Sequence, residues 1–198
     1  MNIQTINIHV GHSPFAVAAF AALLAGAEQV SAQAEPETKG SILVPPPIGE
    51  YWQGQGGVYA GMGCGRDGGN DFCLIVPTDP KAIFAKRNLG TYGVDVPGAT
   101  SYHDGPGNTR AFAEAGSELC KEILSLEIEG HKDFYLPSQT ELMLCWVNVP
   151  ELFEKVWHLS STQSSAVTAW RQVFSDGYTD YYDKTNEGVG RACRRLFL

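Results

Sequence analysis

Basic residues are scarce in this sequence, and their scarcity excludes one large class of partners. The 198 residues include 14 basic and 22 acidic side chains, a formal net charge of −8. The basic cluster that does occur is C-terminal, at Arg191, Arg194 and Arg195. Because an acidic surface repels phosphate backbones, we predict no nucleic-acid partner. The apolar run at residues 14–27 is too short to cross a bilayer, so we also predict no membrane span.

Patterns typical of metal sites are missing. The five cysteines form no CxxC pair, and no two histidines stand at zinc-finger spacing. Asp67 and Asp71 lack the remaining ligands of a calcium loop and indicate a plain turn. An odd number of cysteines cannot all pair within the chain, so we expect buried free thiols, with a Cys64–Cys73 disulfide as the alternative. We therefore predict no metal and no cofactor.

Sequence motifs of common enzyme classes are missing as well. The chain has no GxSxG, no HExxH and no glycine-rich phosphate loop between a strand and a helix. His103 and Asp104 stand together in a glycine-rich loop, where a base and an orienting acid would be adjacent. Such a pair in a loop is more typical of solvated surface. We predict that the protein is not an enzyme.

The first 45 residues differ in character from the rest. Residues 14–27 with the A-x-A pattern at 32–34 are typical of a cleaved secretion signal, but residues 1–13 contain no lysine or arginine. The alternative is a short strand followed by an apolar helix that begins at Pro14, capped by Ser13. A helix that is apolar all round must be buried against a partner. We predict an attachment or oligomerisation segment with a proline-rich linker at residues 1–45, and a folded domain at 46–198.

The folded domain has the patterns of an α+β protein. Apolar runs at residues 57–62 and 72–76, separated by glycine and aspartate, predict a hairpin. An apolar stripe predicts one helix over residues 108–126. A second helix follows Pro137, where Ser138 and Glu141 form a capping box. Runs at residues 167–174, 178–182 and 189–196 predict an antiparallel C-terminal meander.

Five short motifs resemble one known family. The first motif is GHKDFYLPS at residues 130–138, with Glu141-Leu142 shortly after it. The other four are SSTQ at residues 160–163, Ala169-Trp170, FSDG at 174–177 and RACR at 191–194. In this order and spacing they resemble the Lcl C-terminal-like family, and the upstream residues 48–80 are similar to its phage and prophage members in particular. The resemblance covers the chain from Ile48 to the end. The resemblance implies a C-type-lectin-like fold. The sequence departs from the family pattern at Leu159 and Gly188.

The resemblance also implies a ligand face near the end of the chain. Family positions place Trp170 and Phe174 in the core, which leaves Arg171 outside. Tyrosine and short polar side chains suit recognition, because tyrosine offers a large rigid contact area. The predicted contact residues are Gln163, Ser165, Arg171, Tyr178, Asp180, Tyr182 and Asn186. The Glu-Pro-Asn or Gln-Pro-Asp triplet of calcium-dependent lectins is missing, so no calcium-dependent sugar site is predicted.

These observations favour a bacteriophage or prophage tail protein of the fibre or baseplate tip. It would bind a host-cell surface receptor, either a glycan or a surface protein such as a pilus or porin. Residues 1–45 would bind other tail proteins, and we expect a homo-oligomer, a trimer being usual for tail fibres. The protein would be made in the host cytoplasm and located in the virion tail. A secreted bacterial adhesin with a cleaved signal, and a purely structural virion component, are the alternatives.

Overall fold

The computed structural model describes residues 43–66 and 69–198, a mixed α/β unit with three α-helices and two sheets. The predicted attachment segment at residues 1–45 lies almost wholly outside the described residues. Within the described part, no helix is both long and apolar enough to span a bilayer.

The helices are α1 (Gly105–Glu114), α2 (Glu118–Leu124) and α3 (Gln139–Asn148). The strands are β1 (Tyr51–Trp52), β2 (Gly57–Gly63), β3 (Phe72–Val76), β4 (Ile83–Arg87), β5 (Trp157–Gln163), β6 (Thr168–Val173), β7 (Thr179–Asp183), β8 (Gly188–Arg191) and β9 (Arg194–Leu196). The first sheet has the order β1-β2-β3-β9 and is antiparallel. The second has the order β4-β8-β5-β6-β7, in which β5 and β8 are parallel.

Two predicted features that depend on residues close together in sequence, the β2–β3 hairpin and the capping box of α3, are present. The hairpin joins β2 to β3, with a register shift between Tyr59 and Gly61. The capping box opens α3: the Ser138 backbone N–H donates to Glu141 Oε2 at 2.8 Å. Both predictions are confirmed, because each depends on residues only a few positions apart.

The single helix predicted over residues 108–126 is wrong. Two helices, α1 and α2, take its place and meet at Gly116, whose φ of 100° is a left-handed value that ends α1. Ser117 then caps α2, its hydroxyl accepting the N–H of Cys120 at 3.3 Å. The first helix also begins earlier than predicted, at Gly105, because Asp104 caps it by accepting the N–H of Gly107.

The predicted C-terminal meander is right for two strands and wrong for the third. Strands β6 and β7 pair antiparallel. The last run does not pair with β7, because it splits into β8 in the second sheet and β9 in the first. Between them Cys193 exchanges backbone hydrogen bonds with Tyr135, and the Ala192 N–H donates to Ala82 O at 2.9 Å. The C-terminus therefore joins the two sheets.

The cysteines follow the expectation of free thiols. Cys73, Cys120, Cys145 and Cys193 are buried, Cys64 is exposed, and none of the five is in a disulfide. The Cys64–Cys73 disulfide that the sequence left open is not formed. Burial raises the pKa of the Cys120 thiol to about 12, so this thiol stays protonated at neutral pH.

Candidate functional site

Strand β7 forms the outer edge of the second sheet and carries exposed tyrosines. Tyr181 and Tyr182 are 53% and 38% exposed, and Tyr178, in the turn before β7, is 57% exposed. Strand β7 pairs only with β6 within the described residues. Since Tyr181 and Tyr182 are consecutive, their side chains lie on opposite faces of the sheet. We call Tyr178 together with β7 the outer edge.

On one face of the sheet, Trp157 meets two tyrosines of the outer edge. The Trp157 ring lies edge-on to Tyr182, with centroids 5.1 Å apart, and edge-on to Tyr178 at 6.1 Å. Trp157 begins β5 and is half-buried. Edge-to-face contacts of this kind fix the orientation of the rings. We call these three residues the Trp157 cluster.

On the opposite face, Trp170 supports the third tyrosine. Trp170 and Tyr181 are opposite one another in the β6–β7 register, and their rings are edge-on at 5.5 Å. Tyr102, an exposed residue of the loop before α1, also lies beside the indole, with ring centroids 6.1 Å apart. The Trp170 Nε1 is shielded from solvent and has no hydrogen-bond partner among the described residues. We call Tyr102, Trp170 and Tyr181 the Trp170 cluster.

The outer edge also carries two acidic side chains, Asp180 and Asp183. The Asp180 carboxylate lies 3.4 Å from the Tyr178 hydroxyl, and its charge raises the pKa of that hydroxyl. At the other end of β7, hydrogen bonds from the backbone and side chain of Thr185 lower the pKa of Asp183. The tyrosine therefore remains a hydrogen-bond donor and Asp183 an acceptor at neutral pH.

Arg171 does not face solvent, and that prediction is wrong. Its side chain is 5% exposed and lies beneath the turn that follows β7. Nη1 donates to Glu187 O at 2.9 Å, while Nη2 donates to Asp183 O at 3.2 Å and to Asn186 O. The guanidinium thus holds the carbonyls of the turn at residues 184–187. The Tyr182 ring lies over it, 5.9 Å away.

Gln163, also predicted as a contact residue, is interior. Its Oε1 accepts hydrogen bonds from the Val96 N–H and from Lys184 Nζ, both at 3.0 Å. Its Nε2 donates to Asp95 Oδ1 at 2.7 Å. All three partners lie on loops or turns, so Gln163 anchors the long loop after β4 to the end of β5. Its polar atoms are already used by the protein.

Ser165 and Asn186 lie at one end of the outer edge. Thr168 is opposite Asp183 in the register, so the β5–β6 loop and the β7–β8 turn are adjacent. Ser165 Oγ closes that loop by contacting Thr168 Oγ1 at 2.8 Å, while Asn186 is exposed on the turn. The structure thus brings Tyr178, Asp180 and Tyr182 together, with Ser165 and Asn186 flanking them.

Four of the six aromatic residues in the two clusters were not predicted from the sequence as contact residues. The family resemblance implied a core position for Trp170, and Trp157, Tyr102 and Tyr181 were not among the predicted contact residues. The alternation of side chains along β7 places Tyr181 and Tyr182 on opposite faces of the sheet, and this was the sequence signal that could have identified Tyr181. Nothing in the sequence places Tyr102 beside Trp170, because the two residues are far apart in the chain and meet only in the folded protein.

No family model and no curated protein matches the chain. Among residues 43–66 and 69–198, no three His, Cys, Asp or Glu side chains come together as metal ligands would. What the outer edge offers chemically is aromatic surface, phenolic hydroxyls and carboxylate acceptors. These groups suit non-covalent recognition.

Proposed function

We propose that this protein is a receptor-binding component of a bacteriophage or prophage tail, and that its outer edge contacts the host-cell surface. The observation that carries the proposal is the set of three exposed tyrosines of the outer edge, with a tryptophan packed against them on each face of the sheet. Binding, without catalysis, is the proposed activity.

The physical case rests on the rigidity of the aromatic rings. An exposed tyrosine loses little conformational entropy on binding and presents both an apolar face and a hydroxyl. Tyr182 and Tyr181 each contact a tryptophan edge-on, so their rings are held in place before a ligand arrives.

The proposed fold is C-type-lectin-like, as the resemblance to the Lcl C-terminal-like family implies. Residues of the resembling motifs meet in pairs far apart in sequence. Asp133 binds Arg194 at 2.8 Å, and Glu141 binds Arg195 at 2.9 Å. These contacts join α3 and the segment before it to β9. In this proposal the motifs form a frame, and the outer edge, which the frame leaves free, varies with the receptor.

Tail proteins act in many copies, so weak single contacts are sufficient. We propose a homo-oligomer in the virion tail, attached to other tail proteins through residues 1–45. Linked copies raise the effective concentration of each further contact, which compensates for modest affinity at one site. The receptor is a surface glycan or a surface protein of the host.

The test is binding of the full-length chain to bacterial cells. The chain is biotinylated, multimerised on fluorescent streptavidin and measured by flow cytometry on a panel of bacterial strains. A Tyr178→Ala/Tyr182→Ala variant is compared with Tyr92→Ala, a matched control in the loop between β4 and α1 whose tyrosine is 61% exposed.

We expect the double variant to lose about tenfold or more in binding, as aromatic hot spots do. The Tyr92 variant should bind normally, and both should keep the circular dichroism of the parent. Equal binding by both variants would contradict the assignment of the face. Absence of binding to every strain, even as a multimer, would instead favour the structural virion component.

A further inference from the structure

A second site lies away from the outer edge, in a cavity of about 480 Å³ between the start of α1, residues 132–135 and β9. Small-molecule sites fall in this range of volume. Its apolar wall consists of Leu124, Phe134, Tyr135 and Phe197. No residue of the outer edge lines it, so its ligand would be independent of the receptor proposed above.

Arg195 is fixed in the wall of this cavity. Its guanidinium stacks on the Phe72 ring at 3.9 Å. Nε donates to Glu141 Oε1 at 2.9 Å and to the Tyr135 hydroxyl at 3.2 Å, and Nη2 donates to the His103 carbonyl. Nη1 donates to none of the described residues. A guanidinium held on three sides keeps its orientation, so the two N–H groups of Nη1 are preorganised for an acceptor that reaches them.

The other charges of the wall are mostly used within the protein. Asp133 binds Arg194 at 2.8 Å, and Lys132 binds Glu127 at 3.1 Å. Asp104 caps α1, where the positive end of the helix dipole offsets its charge.

Arg110 differs from these groups. It lines the same cavity, is exposed, and has no ion-pair partner among the described residues. The unpaired basic group of the cavity wall is therefore Arg110 on α1, whereas Arg195 on β9 is already paired with Glu141 and offers the N–H groups of Nη1. Guanidinium groups bind carboxylates in a planar, two-pronged geometry.

We propose that this cavity binds a small organic carboxylate with a planar apolar body. The carboxylate is bound by Arg110 and Arg195, and the body lies against Phe134, Tyr135 and Phe197. The Phe197 ring is exposed and lies edge-on to Phe72 at 6.2 Å, so it would form the outer wall of the occupied site. Neutral and cationic ligands of the same shape bind more weakly, because they leave Arg110 without an anion.

The probe is benzoate, titrated into the ¹⁵N-labelled full-length chain and followed by backbone amide shifts. Benzamide and benzylamine are the neutral and cationic controls of similar shape. We expect saturable shifts at Arg110, Lys132 and Phe197 with benzoate, and at least about fivefold weaker binding of either control, as expected for loss of a charge-assisted contact. Equal shifts with benzamide, or shifts confined to other regions, would overturn the proposal.

Variants separate the two halves of the site. Arg110→Gln removes an exposed charge and should weaken benzoate binding about threefold to fivefold without unfolding the chain. Phe197→Ala should weaken benzoate and benzamide alike, because it removes apolar contact. The matched control is Lys155→Gln, an exposed lysine outside the cavity, which should leave the affinity unchanged. If Arg110→Gln and Lys155→Gln bind benzoate equally, the carboxylate is not bound by Arg110 and the proposal fails.

Discussion

Replacing Glu141 with alanine tests whether the frame of the domain depends on one buried carboxylate. Glu141 is 2% exposed and accepts four hydrogen bonds. Oε2 accepts the backbone N–H of Ser138 at 2.8 Å and its hydroxyl at 2.7 Å. Oε1 accepts the hydroxyl of Tyr135 at 2.5 Å and Nε of Arg195 at 2.9 Å. The carboxylate thus links α3, the segment before it and β9.

The cost follows from what alanine leaves behind. Removing one member of a buried ion pair costs about 3–5 kcal/mol, because the remaining charge is uncompensated. The Arg195 side chain is only 15% exposed, so water relieves little of that penalty. The Ser138 N–H also loses its acceptor, but these losses share one group and do not add. We expect the free energy of unfolding to fall by about 4 kcal/mol, a large share of the 5–15 kcal/mol typical of a domain.

Urea unfolding followed by tryptophan fluorescence measures this loss. With an m-value of about 2 kcal/mol/M, the midpoint should move down by about 2 M. Glu118→Ala is the control, because Glu118 and Lys121 form an exposed ion pair one turn apart in α2, 2.8 Å long. It should cost less than about 1 kcal/mol. A Glu141→Ala loss as small as the Glu118→Ala loss would refute the reasoning.

Two further changes test separate parts of the fold. Burial lowers the pKa of His158 from the usual 6.5 to about 4. The unfolded chain therefore binds a proton at this residue more readily than the folded chain does. The free energy of unfolding should be highest above pH 6.5 and should fall by about 3 kcal/mol as the pH drops to 4. His158→Asn, which keeps a donor for the Val156 carbonyl, should reduce the slope of unfolding free energy against pH over that range; an unchanged slope would rule out this histidine as its cause. Gly177→Ala should cost about 2 kcal/mol or more in thermal unfolding, because φ is +79° and the added Cβ would lie 2.4 Å from the Trp146 ring. Gly93→Ala, at φ +75° in open space, should cost only about 1 kcal/mol, and equal losses would show that Trp146 is not the cause.

Signals carried by neighbouring residues predicted the elements that formed as expected. The β2–β3 hairpin and the capping box of α3 each depend on a few positions close in sequence. The path of the last strand depends on Cys193 pairing with Tyr135, 58 residues earlier. No local pattern encodes that contact, so the sequence predicted a continuous strand where the chain passes from one sheet to the other.

The candidate site divides in the same way. Alternation in β7 placed Tyr178, Asp180 and Tyr182 together correctly, because the period of a strand is local. Arg171 was misplaced because its guanidinium is buried by the turn at residues 184–187, which folds back over it. Trp157 joins Tyr182 only through the stacking of β5, β6 and β7, which no single segment shows.

The burial of basic side chains changes what the net charge of −8 means for receptor binding. Four basic side chains are buried, namely Arg171, Lys184, Arg191 and Arg194, whereas Glu141 is the one buried acidic side chain among the described residues. Lys184 and Arg191 donate hydrogen bonds to backbone carbonyls inside the domain rather than to carboxylates, so their charges are not exposed on the surface. The described surface is therefore more acidic than its composition indicates, and long-range attraction to an anionic cell surface would not bring the protein to the proposed receptor. Aromatic contact at short range, which salt does not screen, is the interaction that the outer edge retains, so the proposed adsorption through it should not weaken as ionic strength rises.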